Sequence, residues 1–170
     1  LAVVTYFQLA MTKGGYDQVL TWTSGSLWGS SWTYIAMATP LIAVLIAIVM
    51  VKARTLDALS LGDELACGIG VAVGRERAVF VVLAALLAAL ATSVAGSIAF
   101  LGLLGPQIAK RIVGSNHRAM LPMAAVVAAI ILIVADTIAR NAFSPIEIPV
   151  GIIVSIIGVP YFVYLMIKEK

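Results

Sequence analysis

The stretch RERAVFVVLAALLAALATSVAGSIAFLGLLGPQIAKR, residues 75–111, decides how this chain folds. Its central 32 residues, Ala78 to Ala109, carry no charge; Arg75 and Arg77 precede them, and Lys110 and Arg111 follow. Basic residues flanking apolar segments stay on the cytoplasmic side of a membrane, so both borders belong in one compartment. The block must therefore leave and come back. A helix crosses the hydrocarbon core in about 20 residues, so the block is too long for one comfortable span and too short for two. The spacing predicts one full helix outward, roughly 78–95, and a short helix back, roughly 98–112. Gly96, Gly102 and Gly105-Pro106 supply the breaks. A short return helix exposes backbone groups that lipid cannot satisfy, so it must be buried in protein or line a watery cavity. That points to a transport pathway rather than a simple anchor.

Composition agrees with a bilayer as the solvent. Of 170 residues, 62% are hydrophobic and 11% are charged, and mean hydropathy is +1.11. Soluble domains average about 45–50% apolar and about 25% charged residues, so this chain lacks the side chains to clothe a water-facing surface. Disorder needs the opposite balance. A single Cys excludes an intrachain disulfide framework, and a single His excludes a multi-histidine metal site; no metal site is expected.

The other apolar stretches complete an all-α, polytopic transmembrane helix bundle. Thr33–Val51 runs inward and ends at Lys52 and Arg54. Residues 119–139 run outward past Asp136 and Arg140, and 148–167 run inward to Lys168. Leu1–Met11 is half a span, and the chain opens without Met or a basic cluster, so the expectation is a fragment of a longer polypeptide with about five spans. Nine basic residues then lie inside (Lys52, Arg54, Arg75, Arg77, Lys110, Arg111, Arg118, Lys168 and Lys170) and two outside (Lys13 and Arg140). Tyr16, Trp22, Trp28, Trp32 and Tyr34 suit an interface, with a short external helix over Asp17–Thr23 that the Ser-Gly-Ser run 24–26 ends. One membrane domain, 1–170, contains all of this.

Within it, residues 52–77 form a cytoplasmic loop far longer than a span-to-span connection needs. Leu56, Leu59, Leu61 and Leu65 predict two short amphipathic helices with a glycine bend near Gly68–Gly70. Their apolar face needs the membrane surface or a partner protein. Asp136 and Arg140 are four apart on one helix, the spacing of an ion pair; a charge at membrane depth is also a candidate ion site. Around Pro149-Val-Gly151 and Gly158-Val-Pro160 the last helix reads either as a kinked packing helix or as a moving, pathway-lining one. His117 reads as a polar turn residue and Cys67 as a helix-packing residue. There is no GxxxxGK[ST] phosphate loop, HExxH or GxSxG, and no catalytic residue is expected.

Six stretches in order are similar to a known family. They are Trp22-x-x-Gly25-Ser26-Leu27; Leu59-x-Leu61-Gly62-x-x-x-Ala66 with Ile69-Gly70-Val71; Gly96-x-Ile98-x-Phe100-x-Gly102-Leu103-x-x-Pro106; Asn116-His117-Arg118-x-x-Leu121-Pro122; Ala135-Asp136-x-x-Ala139-Arg140; and Glu147-x-Pro149-Val150-Gly151 with Gly158-x-Pro160. Together they resemble the FecCD/BtuC-type permease subunits of bacterial ABC importers for iron–siderophores, haem and vitamin B12. Gln107 departs from the family's usual His after Pro106, and Cys67-Gly68 stands where larger polar residues are usual.

The resemblance implies the C-terminal half of a ten-helix subunit, in the bacterial cytoplasmic membrane, that moves a metal chelate by alternating access. It implies a coupling role for Leu59, Gly62, Asp63, Glu64, Ala66, Gly68, Gly70 and Val71 in the loop 52–77. Arg140 would dock an extracytoplasmic substrate-binding protein, and Trp22, Ser26, Pro149, Gly151 and Ser155 would line the pathway. The implied partners are a separate ATPase subunit, which would hold the ATP and magnesium, the binding protein, a second permease subunit and the lipid membrane. No cofactor is expected in this chain and no enzyme activity of its own. The competing expectation is half of an ion-coupled secondary transporter with Asp136 as its ion site.

Overall fold

The computed structural model describes residues 24–25, 32–141 and 148–168. Among these it is all helical: α1 (Trp32–Val51), α2 (Ala53–Ser60), α3 (Asp63–Gly68), α4 (Val73–Ala95), α5 (Leu101–Val113), α6 (His117–Asn141) and α7 (Val150–Lys168). The expected stub Leu1–Met11 and external helix Asp17–Thr23 lie outside the described residues, as do Trp22 and Ser26. By length and composition α4 and α6 can each cross a membrane. Ile35–Val51 and Ala53–Ser60 pass the same test together as a pair bent by 51°.

The long apolar block divides where expected and differs in its details. Helix α4 ends at Ala95, and the break runs through Gly96, at φ 70°, to Phe100, at φ 63°. Gly102 and Gly105-Pro106 do not break the chain; they lie inside α5. Pro106 falls in the second turn, where it forfeits the one bond to the Gly102 carbonyl, while the Leu103 and Leu104 N–H groups before it donate to the Phe100 carbonyl at 3.0 and 2.9 Å. Gly105 serves close packing instead. A Cβ there would lie 3.1 Å from the Ala124 carbonyl oxygen and 3.3 Å from the Ala128 Cβ.

The loop after α1 holds the expected two short helices, but its bend is elsewhere. The chain turns at Leu61-Gly62, with Gly62 at φ 103°, whereas Gly70, at φ 85°, follows the end of α3. Both glycines occupy the left-handed region that disfavours any Cβ. Helix α4 already begins at Val73, which places Arg75, Glu76 and Arg77 within its first turns.

The described residues form two compact units. One comprises 32–94 and 105–128. Its buried side chains are small or branched: Leu45, Ala53, Ala58, Ala66, Leu83 and Ala109. Alanines at these points let helix backbones come close, the mode of packing that works where lipid removes any hydrophobic drive between helices. Three ionic contacts organise its charged end. Lys52 Nζ donates to both Glu76 carboxylate oxygens, at 2.7 and 2.6 Å. Asp57 Oδ1 accepts the His117 backbone N–H at 2.9 Å and lies 2.6 Å from His117 Nδ1. Arg77 Nη2 donates to Asp63 Oδ1 at 2.7 Å. Glu76 and His117 flank the apolar block, and their partners are only five residues apart, about 8 Å along a helix. The two borders of the block therefore meet at one end, as the charge pattern requires.

The other unit comprises 24–25, 95–104, 129–141 and 148–168. Leu104, Ala135, Ala139, Val150, Ile153 and Val154 form its core, with Ile98, Phe100 and Tyr161 packed against them. Helix α7 starts after Pro149, whose fixed φ suits a helix entry, and runs unbroken through Gly158 and Pro160. A glycine is required at 151, because a Cβ would collide with the Ser24 carbonyl oxygen. The Gly151 N–H donates to the Gly25 carbonyl at 3.2 Å.

Two predictions follow from this packing and charge. In the full-length subunit, Gly151→Ala should lower thermal stability by about 1–3 kcal/mol, the usual range for overpacking. Gly102→Ala meets nothing within 4 Å, and should be neutral or stabilising by up to about 1 kcal/mol. Melting of the two variants in detergent checks the contrast, and equal shifts would refute it. The second concerns pH. The His117 backbone N–H, and then its ring, hold the Asp57 carboxyl below its ordinary 3.8, against a smaller opposing effect of partial burial. A lowered carboxyl pKa contributes stability that is fully present above 3.8 and is lost as pH falls through the folded value. The anchor should thus be intact at neutral pH and fail only in strong acid. NMR titration of the Asp57 carboxyl carbon should show a midpoint below 3.8; one at or above it would contradict the assignment.

Candidate functional site

Two places carry the side chains singled out above. The first is the pair of short helices α2 and α3. Gly62, Asp63, Glu64, Gly68 and Gly70 are exposed, Leu59 and Val71 are half-buried, and Ala66 is fully buried. Ala66 thus supports the loop from within rather than presenting a surface. The Asp63 carboxylate is engaged by Arg77. Leu61, Leu65 and Ile69 are more than 60% exposed. That is unusual for large aliphatic side chains gathered on one short segment, and it makes an uncovered apolar patch around α3. Cys67 beside them is free and exposed; the residue expected to pack lies on the surface.

What holds this segment was not read from the sequence. His117, expected as a plain turn residue, is fixed by Asp57, and Lys52 is fixed by Glu76. The partners lie 60 and 24 residues apart in sequence, beyond any local spacing rule. The only sequence signal was the presence of acidic residues in a loop bordered by basic ones.

The second place is a cavity of about 600 Å³ in the unit that contains α7. Gly151 and Ser155 line it, together with Ser24, Ser97, Ile156 and Pro160. Ser155 Oγ donates to the Gly151 carbonyl at 2.7 Å, which leaves its oxygen lone pairs available. Pro160 has no N–H to offer the Ile156 carbonyl, so this wall carries a backbone acceptor as well. The lining is therefore neutral, with hydroxyls and carbonyls among aliphatic groups and no charged side chain. Such a wall can pass a solute without gripping it. Pro149 is half-buried just outside the lining. Gly158 admits Phe100, since a Cβ would lie 2.6 Å from the Phe100 Cβ; it serves close packing within an unbroken helix. Ser24 and Ser97 were not singled out in the sequence, although each adjoins a glycine that adopts positive φ.

Asp136 and Arg140 form the expected i,i+4 pair, with Nε donating to Oδ2 at 2.8 Å. Arg140 keeps 46% of its side chain exposed. Asp136 Oδ1 is buried and meets no donor among the described residues.

Residues 1–168 match the model of the FecCD transport family. The chain is 42% identical over 169 residues to the iron(3+)-hydroxamate import system permease protein FhuG of Bacillus subtilis (strain 168), covering 99% of this chain and 50% of the relative. It is 38% identical to the Fe(3+) dicitrate transport system permease protein FecD of Escherichia coli (strain K12), covering 99% of this chain and 53% of that protein. A solved structure described as an inward-facing conformation of a metal-chelate type ABC transporter superposes with a TM-score of 0.88 at 29% identity, covering 98% of this chain and 54% of the other. The chain spans about half the length of the curated relatives it matches. Its helices, its exposed apolar surface and this match over nearly every residue lead to one conclusion: it is a membrane-embedded, multi-pass α-helical chain that belongs to the FecCD transport family.

Proposed function

We propose that the chain is part of the permease subunit of an ATP-driven importer in the bacterial cytoplasmic membrane. The importer moves an iron–siderophore or similar metal chelate by alternating access. The observation that carries this reading is the exposed apolar patch of Leu61, Leu65 and Ile69 on a loop bound by ion pairs to α4 and α6. A patch of this kind, held on a stiff base and facing the basic side of the membrane, suits a protein partner that pushes.

In this reading 1–170 is a single membrane domain of about five spans, and 52–77 is its coupling loop. The loop docks into a separate ATPase subunit, which holds ATP and magnesium; the permease supplies no ATPase site. Leu59, Gly62, Asp63, Glu64, Gly68, Gly70 and Val71 shape the docking surface, with Ala66 supporting it from beneath. Gly151 and Ser155 line the path, in company with Pro149, Trp22 and Ser26. A large chelate needs a wall that binds weakly and without charge, and the neutral cavity lining fits that need. Specificity then rests with an extracytoplasmic binding protein, which meets Arg140 at the outer face. A second permease subunit completes the pathway. Membership of the family sets aside the ion-coupled alternative built on Asp136.

In proteoliposomes holding the full-length subunit and its ATPase, chelate uptake should require ATP. Uptake driven by a pH gradient alone would overturn the proposal. Leu65→Cys should cross-link to the ATPase, and the absence of any cross-link would remove the coupling role of α3. Arg140→Glu should weaken capture of the binding protein, with a smaller difference from wild type at high salt, where screening shortens the reach of the charge; an unchanged dissociation constant would remove the docking role.

A further inference from the structure

We infer that Asp57 and His117 are a positioning pair that makes α6 follow α2 when a cytoplasmic partner displaces the coupling loop. This rests on the importer reading and adds to it the residues that pass the displacement on.

The geometry carries the inference. Asp57 Oδ1 accepts the backbone N–H of His117 at 2.9 Å and contacts the same residue's ring Nδ1 at 2.6 Å. One oxygen thus holds one residue from two directions, and α2 cannot rotate away without breaking both contacts. His117 is the first residue of α6, an uninterrupted helix of 25 residues. A carboxylate at that position meets an orphan helix N–H and the positive end of the helix dipole. Nδ1 donates in the neutral Nδ1–H tautomer as well as in the charged ring, so the contact does not require a charged histidine. The bond to an ionised carboxylate is of the strong class.

The second attachment turns the contact into a mechanical connection. Lys52, immediately before α2, is bound by both oxygens of Glu76 in the first turn of α4. Helix α2 is therefore tied at two points, five residues apart, to the bases of the two helices that are each long enough to cross a membrane. A push on α2 reaches both. The Asp63–Arg77 pair, with side chains 57% and 60% exposed, is of the solvent-screened kind that contributes little. The two half-buried anchors at Lys52 and Asp57 are the stiffer links.

A capping residue with no role in transmission would also stabilise α6, so the test reads coupling rather than stability. The full-length subunit is assembled with its ATPase in proteoliposomes, and chelate transported per ATP hydrolysed is measured. For Asp57→Ala this ratio should fall at least about 5-fold, the lower end of ordinary coupling energies. Asp57→Asn keeps an acceptor oxygen for both N–H groups and should recover most of the ratio. His117→Ala keeps its backbone N–H and therefore the cap, and should lie between Asp57→Ala and wild type. An unchanged ratio in Asp57→Ala overturns the inference, even if assembly and uptake fall together. If Asp57→Ala does not assemble, an unchanged ratio in His117→Ala overturns it. The Leu65→Cys cross-link separates the two levels. Its absence in the otherwise wild-type subunit removes the coupling role of α3 within the importer reading, whereas its presence with an unchanged ratio defeats only the positioning pair.

Discussion

The contact on which the rest depends is the joint tether of Glu76 and His117 to the short segment Lys52–Asp57. An uncharged block of 32 residues, Ala78 to Ala109, separates those two residues. In lipid such a block has no charged side chains to mark its ends, and its backbone forces it into helix. Only the borders can say where it starts and stops. Lys52 and Asp57 take hold of both borders within a turn and a half of helix, so the block has to return to the side it left. That constraint sets the direction of α4 and α5 and the entry point of α6. The same residues fix α2 at the bases of α4 and α6.

The other unit is organised by absent side chains. Gly25, Gly151 and Gly158 each stand where a Cβ would strike a neighbour: Ser97 and Ile98, Ser24, and Phe100 respectively. Backbones brought this near expose their carbonyls to one another and to the adjacent cavity. The lining beside them is mostly aliphatic, with the hydroxyls of Ser24, Ser97 and Ser155 and no charge. A wall of that chemistry binds weakly, and a permeation path needs weak binding for its solute to leave.

These two regions differ in physical character, and the proposed function gives each a different part. In the proposed importer the charged base would convert a push into a movement of helices through its half-buried ionic contacts. The glycine-packed unit offers smooth, neutral surfaces, because glycine and alanine leave little relief. The short helices α2 and α3 supply the uncovered apolar surface that a partner would cover.

The sequence by itself determined the class of the molecule. Charge-free runs of membrane length, bordered by arginine and lysine, admit only helices in a bilayer, and the helix–break–helix form of residues 78–112 follows from length and charge alone. The Asp136–Arg140 pair was equally legible, because four residues make one helical turn. The tertiary structure decided the rest. Gly102, Gly105 and Gly158 look like breaks in one dimension; all three lie inside helices, where Gly105 makes room for Ala124 and Ala128, Gly158 makes room for Phe100, and Gly102 faces open space. The bend between the two short helices falls at Gly62 instead of Gly68–Gly70, although Gly62 and Gly70 both adopt positive φ, so the presence of a glycine alone could not locate it. Asp57 and His117 are 60 positions apart, and no periodicity links residues so distant. Their meeting required the apolar block between them to fold back first.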